Sequence, residues 1–381
     1  MSLYIPDIES EKPDARCGHI CFEFRGNVYV WGGYTDDDGC RYLPSRSLWI
    51  YHVNSSSWKH VHCTGEIPVN LSGACASRVG QTLFIFGGHC LDFGHSEKLY
   101  SLDLVTYKWK NQSDSVLGNA PLPRDKFGSW VIDDRIIYFG GYGRSPDKAY
   151  YGPFTYHEHM RGWNGQVAVL HLQADDVLEW KYPKVKGDPP QPRAAHGMTR
   201  IGKKGYLFGG RHSVCRDNDL YCLDLDNLTW SGRLQVSGPQ PCGRSWHVFV
   251  TCGPEHILLH GGFDAFNREL EDAWLLDVNR LEWIEIDAFT KIRPPKTRLW
   301  HAACRTENEG EIAIFGGSAG QFFGPNTRHT NELFFFNFTP RSLQRLCEEV
   351  VKTRGNDAFQ LGKLPRHIGR NLKPRSRSHE R

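Results

Sequence analysis

The chain has 381 residues and nearly balanced charge, 46 Lys and Arg against 43 Asp and Glu; nine of the basic residues crowd into the last thirty, so the body is slightly acidic and offers no basic surface for nucleic acid. Its 39 Gly, 21 Pro and 12 Trp point to many short strands joined by tight turns. No apolar run approaches the roughly 20 residues of a membrane-spanning helix, no leader opens the chain, and the twelve cysteines are scattered without a paired CxxC, so the expectation is reduced thiols in cytoplasm or nucleus, no membrane and no zinc.

The first apolar stretch, "SLYIPDI" (residues 2–8), stands alone before a repeat. Hydrophobic runs ending in Gly-Gly then begin their pairs at Gly32, Gly87, Gly140, Gly209, Gly261 and Gly316, with gaps of 55, 53, 69, 52 and 55 residues. Each unit opens with a short strand such as "HICFEF" or "HVFVT" and continues with one that runs into the glycine pair, such as "VYVWGG" or "GYLFGG". A third strand follows ("LWIYHV", "LYCLDL"), and a fourth starts near Trp58, Trp109, Trp180, Trp230 or Trp283. In four units that Trp lies seven residues after an apolar residue of the third strand (Tyr51, Leu102, Leu223, Leu276).

A period near 50 residues marks an array of like units. Four antiparallel strands cannot bury both faces alone; stacked radially, each sheet covers its neighbour, which is a β-propeller. The sixth unit has no late tryptophan, so the strand near the N-terminus is expected to complete it and remove an unpaired edge. The expected fold is all-β: a six-bladed propeller over residues 1–340, closed by the N-terminal strand and followed by a short C-terminal helical segment.

Repetition separates scaffold from site. Arg-x-x-His recurs at Arg16/His19, Arg193/His196, Arg244/His247 and Arg298/His301, and reads as a structural device of each blade rather than a metal centre. In an antiparallel hairpin the start of the first strand lies beside the end of the second. Residues around Arg-x-x-His and residues just after Gly-Gly therefore share one face. Units three to six place Lys126, Tyr142, Arg211, Arg216, Ser245, Trp246 and Trp300 there. The longest gap holds the loop "YGRSPDKAYYGPFTYHEHMRGWNGQ", which brings Trp163 to the same rim, as a single large insertion for function would. Two arginines, a lysine and a hydroxyl among flat aromatic walls suit a carboxylate or a phosphate. Pairing of Arg211 and Arg216 with Asp217 and Asp219 on their own loop is the competing reading.

Beyond the last unit, "PRSLQRLCEEVVKTRGND" puts Leu343, Leu346, Cys347, Val350 and Val351 on one apolar stripe of a helix, assigned to residues 341–356. Residues 357–381 hold "LPRHI" and a basic tail expected to be disordered.

The period, the "FGG" strand end and the late Trp resemble the kelch repeat over residues 2–340. Ser342, Leu343, Cys347 and Val351 resemble the elongin-binding box of Cullin-2 substrate receptors. Leu364, Pro365 and Ile368 resemble the core of a Cullin-2 box, although Gly355, Gly362 and Gly369 depart from helix there. With "YLPSRSLWIY", "RDKFGSW", "YFGGYG", "RGWN", "QPRAAH", "GRSWH" and "RLWH", the chain is similar to the kelch-domain-containing protein 1 and 2 family.

That resemblance implies a non-catalytic substrate receptor without cofactor or metal. Elongin B/C would bind through Leu343, Leu346, Cys347 and Val351, and Cullin-2, with its RING subunit, through Leu364, Pro365 and Ile368. The captured ligand would be a protein C-terminus, typically ending in Gly-Gly. Arg211, Arg216 and Ser245 would hold the terminal carboxylate with support from Lys126. Tyr142, Trp163, Trp246 and Trp300 would wall the pocket. The alternatives are a kelch interaction scaffold without a ligase role and, disfavoured by the repeating histidines, a metal-radical oxidase of the same architecture.

Overall fold

The computed structural model describes residues 2–6, 11–36, 39–145, 161–286, 297–319 and 327–339. Six sheets follow one another along the chain, each with a four-stranded antiparallel core. The first blade consists of Ile20–Phe24, Asn27–Trp31, Ser47–His52 and Ser57–His62. The inner strands of the next four are Cys75–Val79, Gly128–Ile132, Gly197–Ile201 and Val248–Thr251. The sixth blade has Ala302–Arg305, Glu311–Phe315 and Leu333–Asn337, and its outer strand is Ser2–Tyr4.

That outer strand runs antiparallel to Leu333–Asn337, with Leu3 opposite Phe336. The N-terminal strand therefore completes the last blade, as the missing tryptophan predicts. The spacing of seven has a direct cause. Tyr51, Leu102, Leu223 and Leu276 face Trp58, Trp109, Trp230 and Trp283 across a tight hairpin, so each pair is one cross-strand contact. In the third blade a 3₁₀ turn at Ala174–Asp176 lengthens the connection, and Leu170 still faces Trp180. Leu3 holds the corresponding place in the sixth blade and is buried.

Outer edges are covered by the linkers. Thr64–Gly65 and Lys186–Asp188 pair in parallel with the outer strands of blades two and four, and single bridges, Leu117 to Glu179 and Ser237 to Glu282, do the same for blades three and five. Six hydrophobic clusters fill the junctions between neighbouring blades. One joins Trp49 and Tyr51 of the first blade to Phe315 and Phe335 of the sixth, so the array closes on itself.

The repeating arginine and histidine are scaffold. Arg16, Arg124, Arg193, Arg244 and Arg298 are buried, and each donates from Nη1 to the carbonyl of the first glycine of its own pair, at 2.9–3.3 Å. His19, His247 and His301 are buried and His196 is half-buried, at four different blade junctions, each against the first glycine of the preceding blade. No group of three or more His, Cys, Asp or Glu among the described residues is arranged to hold a metal, and no helix there is long and apolar enough to cross a membrane. The helix expected at 341–356 and the segment 357–381 lie outside the described residues.

Candidate functional site

Six equivalent backbone contacts build one face of the disc. Cys17, Ser72, Asp125, Ala194, Ser245 and Leu299 bridge to Tyr34, His89, Tyr142, Arg211, Phe263 and Ser318, the residues that follow the glycine pairs. Next to each bridge stands a residue in the left-handed region: Gly18, Gly73, Lys126, Ala195, Trp246 and Trp300, with φ of 54° to 65°. Their amides form a closed ring. Each N–H donates to the carbonyl of the same position one blade earlier, at 2.8–3.1 Å, and Gly18 closes the ring on Trp300. A left-handed residue with a side chain costs about 1 kcal/mol or more, so a Lys and two Trp where two blades use Gly mark positions retained for another purpose.

On this ring, between blades three and five, lies a pocket of about 160 Å³ lined by Lys126, Tyr142, Trp163, Ala194, Ala195, Arg211, Ser245 and Trp246. It is smaller than a typical drug-sized site, which favours a short segment with small side chains. Trp163 reaches it because Arg161–Trp163 pairs with Tyr142–Arg144 across the long insertion, setting Trp163 opposite Tyr142 with ring centroids 5.4 Å apart. The middle of that insertion, residues 146–160, is outside the described residues. Among the described residues the Tyr142 hydroxyl, though buried, has no hydrogen-bond partner.

Arg211 and Arg216 are direct cross-strand partners on a short hairpin. Like charges in that arrangement repel. The acids nearby are engaged elsewhere, and the charge of Asp264 offsets only part of the effect at Arg216. Asp219 pairs with Arg193 at 2.6 and 3.0 Å, Asp217 bonds His212 at 2.5 Å, and Asp264 pairs with Arg268 at 2.8 Å. The local pairing of the two arginines with Asp217 and Asp219 is thus not formed. Arg216 is 8 % exposed. It donates from Nε to Ser245 Oγ at 2.9 Å and from Nη1 to Asn267 Oδ1 at 3.4 Å, and lies 4.8 Å from the Phe263 ring centroid. Burial first, and the charge of Arg211 second, pull its pKa down to about 10, so it stays charged at neutral pH. Arg211 and Ser245 thus line one small cavity, with Arg216 held against Ser245 beside it, and no carboxylate among the described residues lies within ion-pair distance of either arginine.

Lys126 is compensated. Its ammonium bonds the buried Asp125 carboxylate, and His95 Nε2 lies 3.4 Å from the other carboxylate oxygen. Burial alone would raise the Asp125 carboxyl; Lys126 and His95 outweigh it and hold it at about 2. Lys126 is therefore a polarised donor at the wall, and the net positive charge comes from the arginine pair.

Of the residues expected at the site, Lys126, Tyr142, Trp163, Arg211, Ser245 and Trp246 line the pocket, and Arg216 adjoins it through Ser245. Trp300 does not line it. It stands behind Trp246 on the central channel. Leu343, Leu346, Cys347, Val351, Leu364, Pro365 and Ile368 lie outside the described residues. Sequence reasoning missed Ala194 and Ala195, the small floor; Phe263, beneath Arg216; Asn267; and Asp125. Phe263 and Ala195 were findable, since they occupy the repeat positions of Arg211 and Lys126. Asn267 carries no repeat signal. A larger groove of about 770 Å³ lies at the outer edge between blades two and three. Its walls mix Asp103, Lys108 and Lys110 with scaffold residues such as Trp109, without converging buried charge, so the smaller pocket is the stronger site.

The KLHDC2/KLHL20/DRC7 Kelch-repeats domain matches residues 18–157 and 154–317. Kelch domain-containing protein 2 of Bos taurus is 37% identical over 377 residues, covering 93% of this chain and 89% of its own length. Kelch domain-containing protein 1 of Homo sapiens is 39% identical over 351 residues, 89% of this chain and 84% of its own length. Acyl-CoA-binding domain-containing protein 4 of Arabidopsis thaliana is 28% identical over 259 residues, but only 35% of its length is matched.

Proposed function

This chain belongs to the family of Kelch domain-containing proteins 1 and 2, and from that premise we propose that it is a non-catalytic substrate receptor whose pocket captures the C-terminus of other proteins, typically one ending in Gly-Gly. One observation carries the reading: Arg211 and Ser245 line a small cavity, Arg216 pairs across the hairpin from Arg211 and bonds Ser245 from behind, and neither arginine has a carboxylate of its own among the described residues. A buried cation without a counter-charge is costly, and a ligand carboxylate removes that cost while gaining charge-assisted hydrogen bonds.

A chain terminus is the carboxylate that also brings a backbone. Its terminal oxygens would meet the arginine forks and the Ser245 hydroxyl proton, which remains after that oxygen accepts from Arg216. Tyr142 O–H and the Lys126 ammonium would donate to the preceding carbonyls. Trp163, Trp246, Ala194 and Ala195 would leave room for glycine and little more.

The wider assignment is part of the same proposal: elongin B/C on Leu343, Leu346, Cys347 and Val351, Cullin-2 and its RING subunit on the segment with Leu364, Pro365 and Ile368, and ubiquitin transfer by those partners in cytoplasm or nucleus. The double variant Arg211→Ala/Arg216→Ala is expected to lose binding of a Gly-Gly-ended peptide in calorimetry while still co-purifying with elongin B/C. Retained peptide binding contradicts the pocket; a full chain that fails to co-purify with elongin B/C contradicts the ligase assignment.

A further inference from the structure

The six positions of the left-handed ring differ in what they carry, and Trp300 touches most of the others. Its indole stacks on Trp246, with centroids 5.5 Å apart and 26° between planes. The Lys126 ammonium stands 5.4 Å from its ring centroid. A Cβ on Gly18 would lie 3.1 Å from two of its ring carbons, and one on Gly73 would lie 3.4 Å from one of them. Tyr34 meets it edge-on at 5.7 Å. The indole thus lies across the mouth of the central channel, in space that the glycines of the first two blades leave open. It does so from a backbone conformation, φ 54°, that glycine would adopt without strain.

Two cavities meet at this point. The pocket of about 160 Å³ and the channel of about 130 Å³ share Lys126, Ala195 and Trp246 as their partition. Trp300 lines the channel but not the pocket. We propose that Trp300 is a specificity-determining positioning residue: it braces Trp246 and Lys126 from behind, keeps the partition shut, and so limits the space for the last residue of the bound chain. This rests on the reading of the pocket as a C-terminus site. Without Trp300, Trp246 loses its stacking partner and Lys126 its aromatic face. The thin wall then gives way into the channel, and side chains larger than hydrogen gain room.

The test uses the full chain, Trp300→Gly and Trp300→Phe, with free-carboxylate peptides ending in Gly-Gly, Gly-Ala or Gly-Val. Trp300→Gly is expected to fold, because glycine suits this position. It should bind the Gly-Gly peptide about tenfold more weakly and narrow the Gly-Gly preference over Gly-Ala and Gly-Val by about threefold or more. Circular dichroism should lose the exciton couplet of the stacked indoles. Trp300→Phe should restore most of the affinity and the preference. If Trp300→Gly does not fold, Trp300→Leu, which also lacks the stack, is held to the same ratio. Equal weakening of all three peptides means a merely structural residue and overturns the inference. A wild-type chain that binds amidated and free-acid peptides alike overturns the pocket reading instead.

Discussion

At the scale of the residue, side-chain identity within a fixed frame decides the chemistry. The same backbone position after the glycine pair holds Tyr34, His89, Tyr142, Arg211, Phe263 and Ser318. Because the frame repeats, the odd side chains were legible in the sequence, and all the expected pocket residues except Trp300 line or adjoin the cavity. What sequence could not give was depth. Trp300 and Trp246 occupy equivalent positions, and only three-dimensional stacking decides which faces the pocket. Nor could it show that Asp125 takes up the Lys126 charge, since adjacent residues commonly point apart. Arg216→Lys is expected to weaken peptide binding nearly as much as Arg216→Ala, because a single ammonium cannot bond Ser245, Asn267 and a carboxylate as the planar fork does. Full affinity in the lysine variant, measured by calorimetry, contradicts the fork geometry.

At the scale of the element, the blade was legible because cross-strand pairing turns a spacing of seven into a contact, and the closing strand was legible through a missing tryptophan. The insertion in blade three was visible as excess length, yet its pairing, Tyr142 to Trp163, followed only from the register. Leu3 carries the closure prediction. It is 6 % exposed and packs with Leu258, Ile312, Ile314 and Phe336. Leu3→Ala is expected to cost about 2 kcal/mol of stability and Leu3→Asp more, each read as a lowered Tm. An unchanged Tm in Leu3→Asp means that the strand does not hold the ring shut.

At the scale of the whole molecule, closure and acid sensitivity share a cause. His19, His196 and His260 are held neutral at about 3, and His247 and His301 are also pushed well below 6.5, by burial first and then mainly by neighbouring positive charges. The unfolded chain binds protons at these sites near pH 6.5, while in the folded chain His19, His196 and His260 do not until near 3, and His247 and His301 only well below 6.5. Stability is therefore complete above 6.5 and declines as pH falls through that window, by about 1 kcal/mol per pH unit for each histidine. Tm is expected to fall steeply between pH 6.5 and 4.5, and His196→Gln to flatten the slope. A Tm independent of pH over that range contradicts neutral burial at the junctions.

The central claim concerns the pocket, and the most direct measurement changes one group on the ligand. A peptide ending in Gly-Gly is titrated into the full chain as free acid and as C-terminal amide. The free acid is expected to bind at least about a hundredfold more tightly, because the amide leaves Arg211 and Arg216 without their counter-charge. Equal affinity for the two peptides contradicts the account.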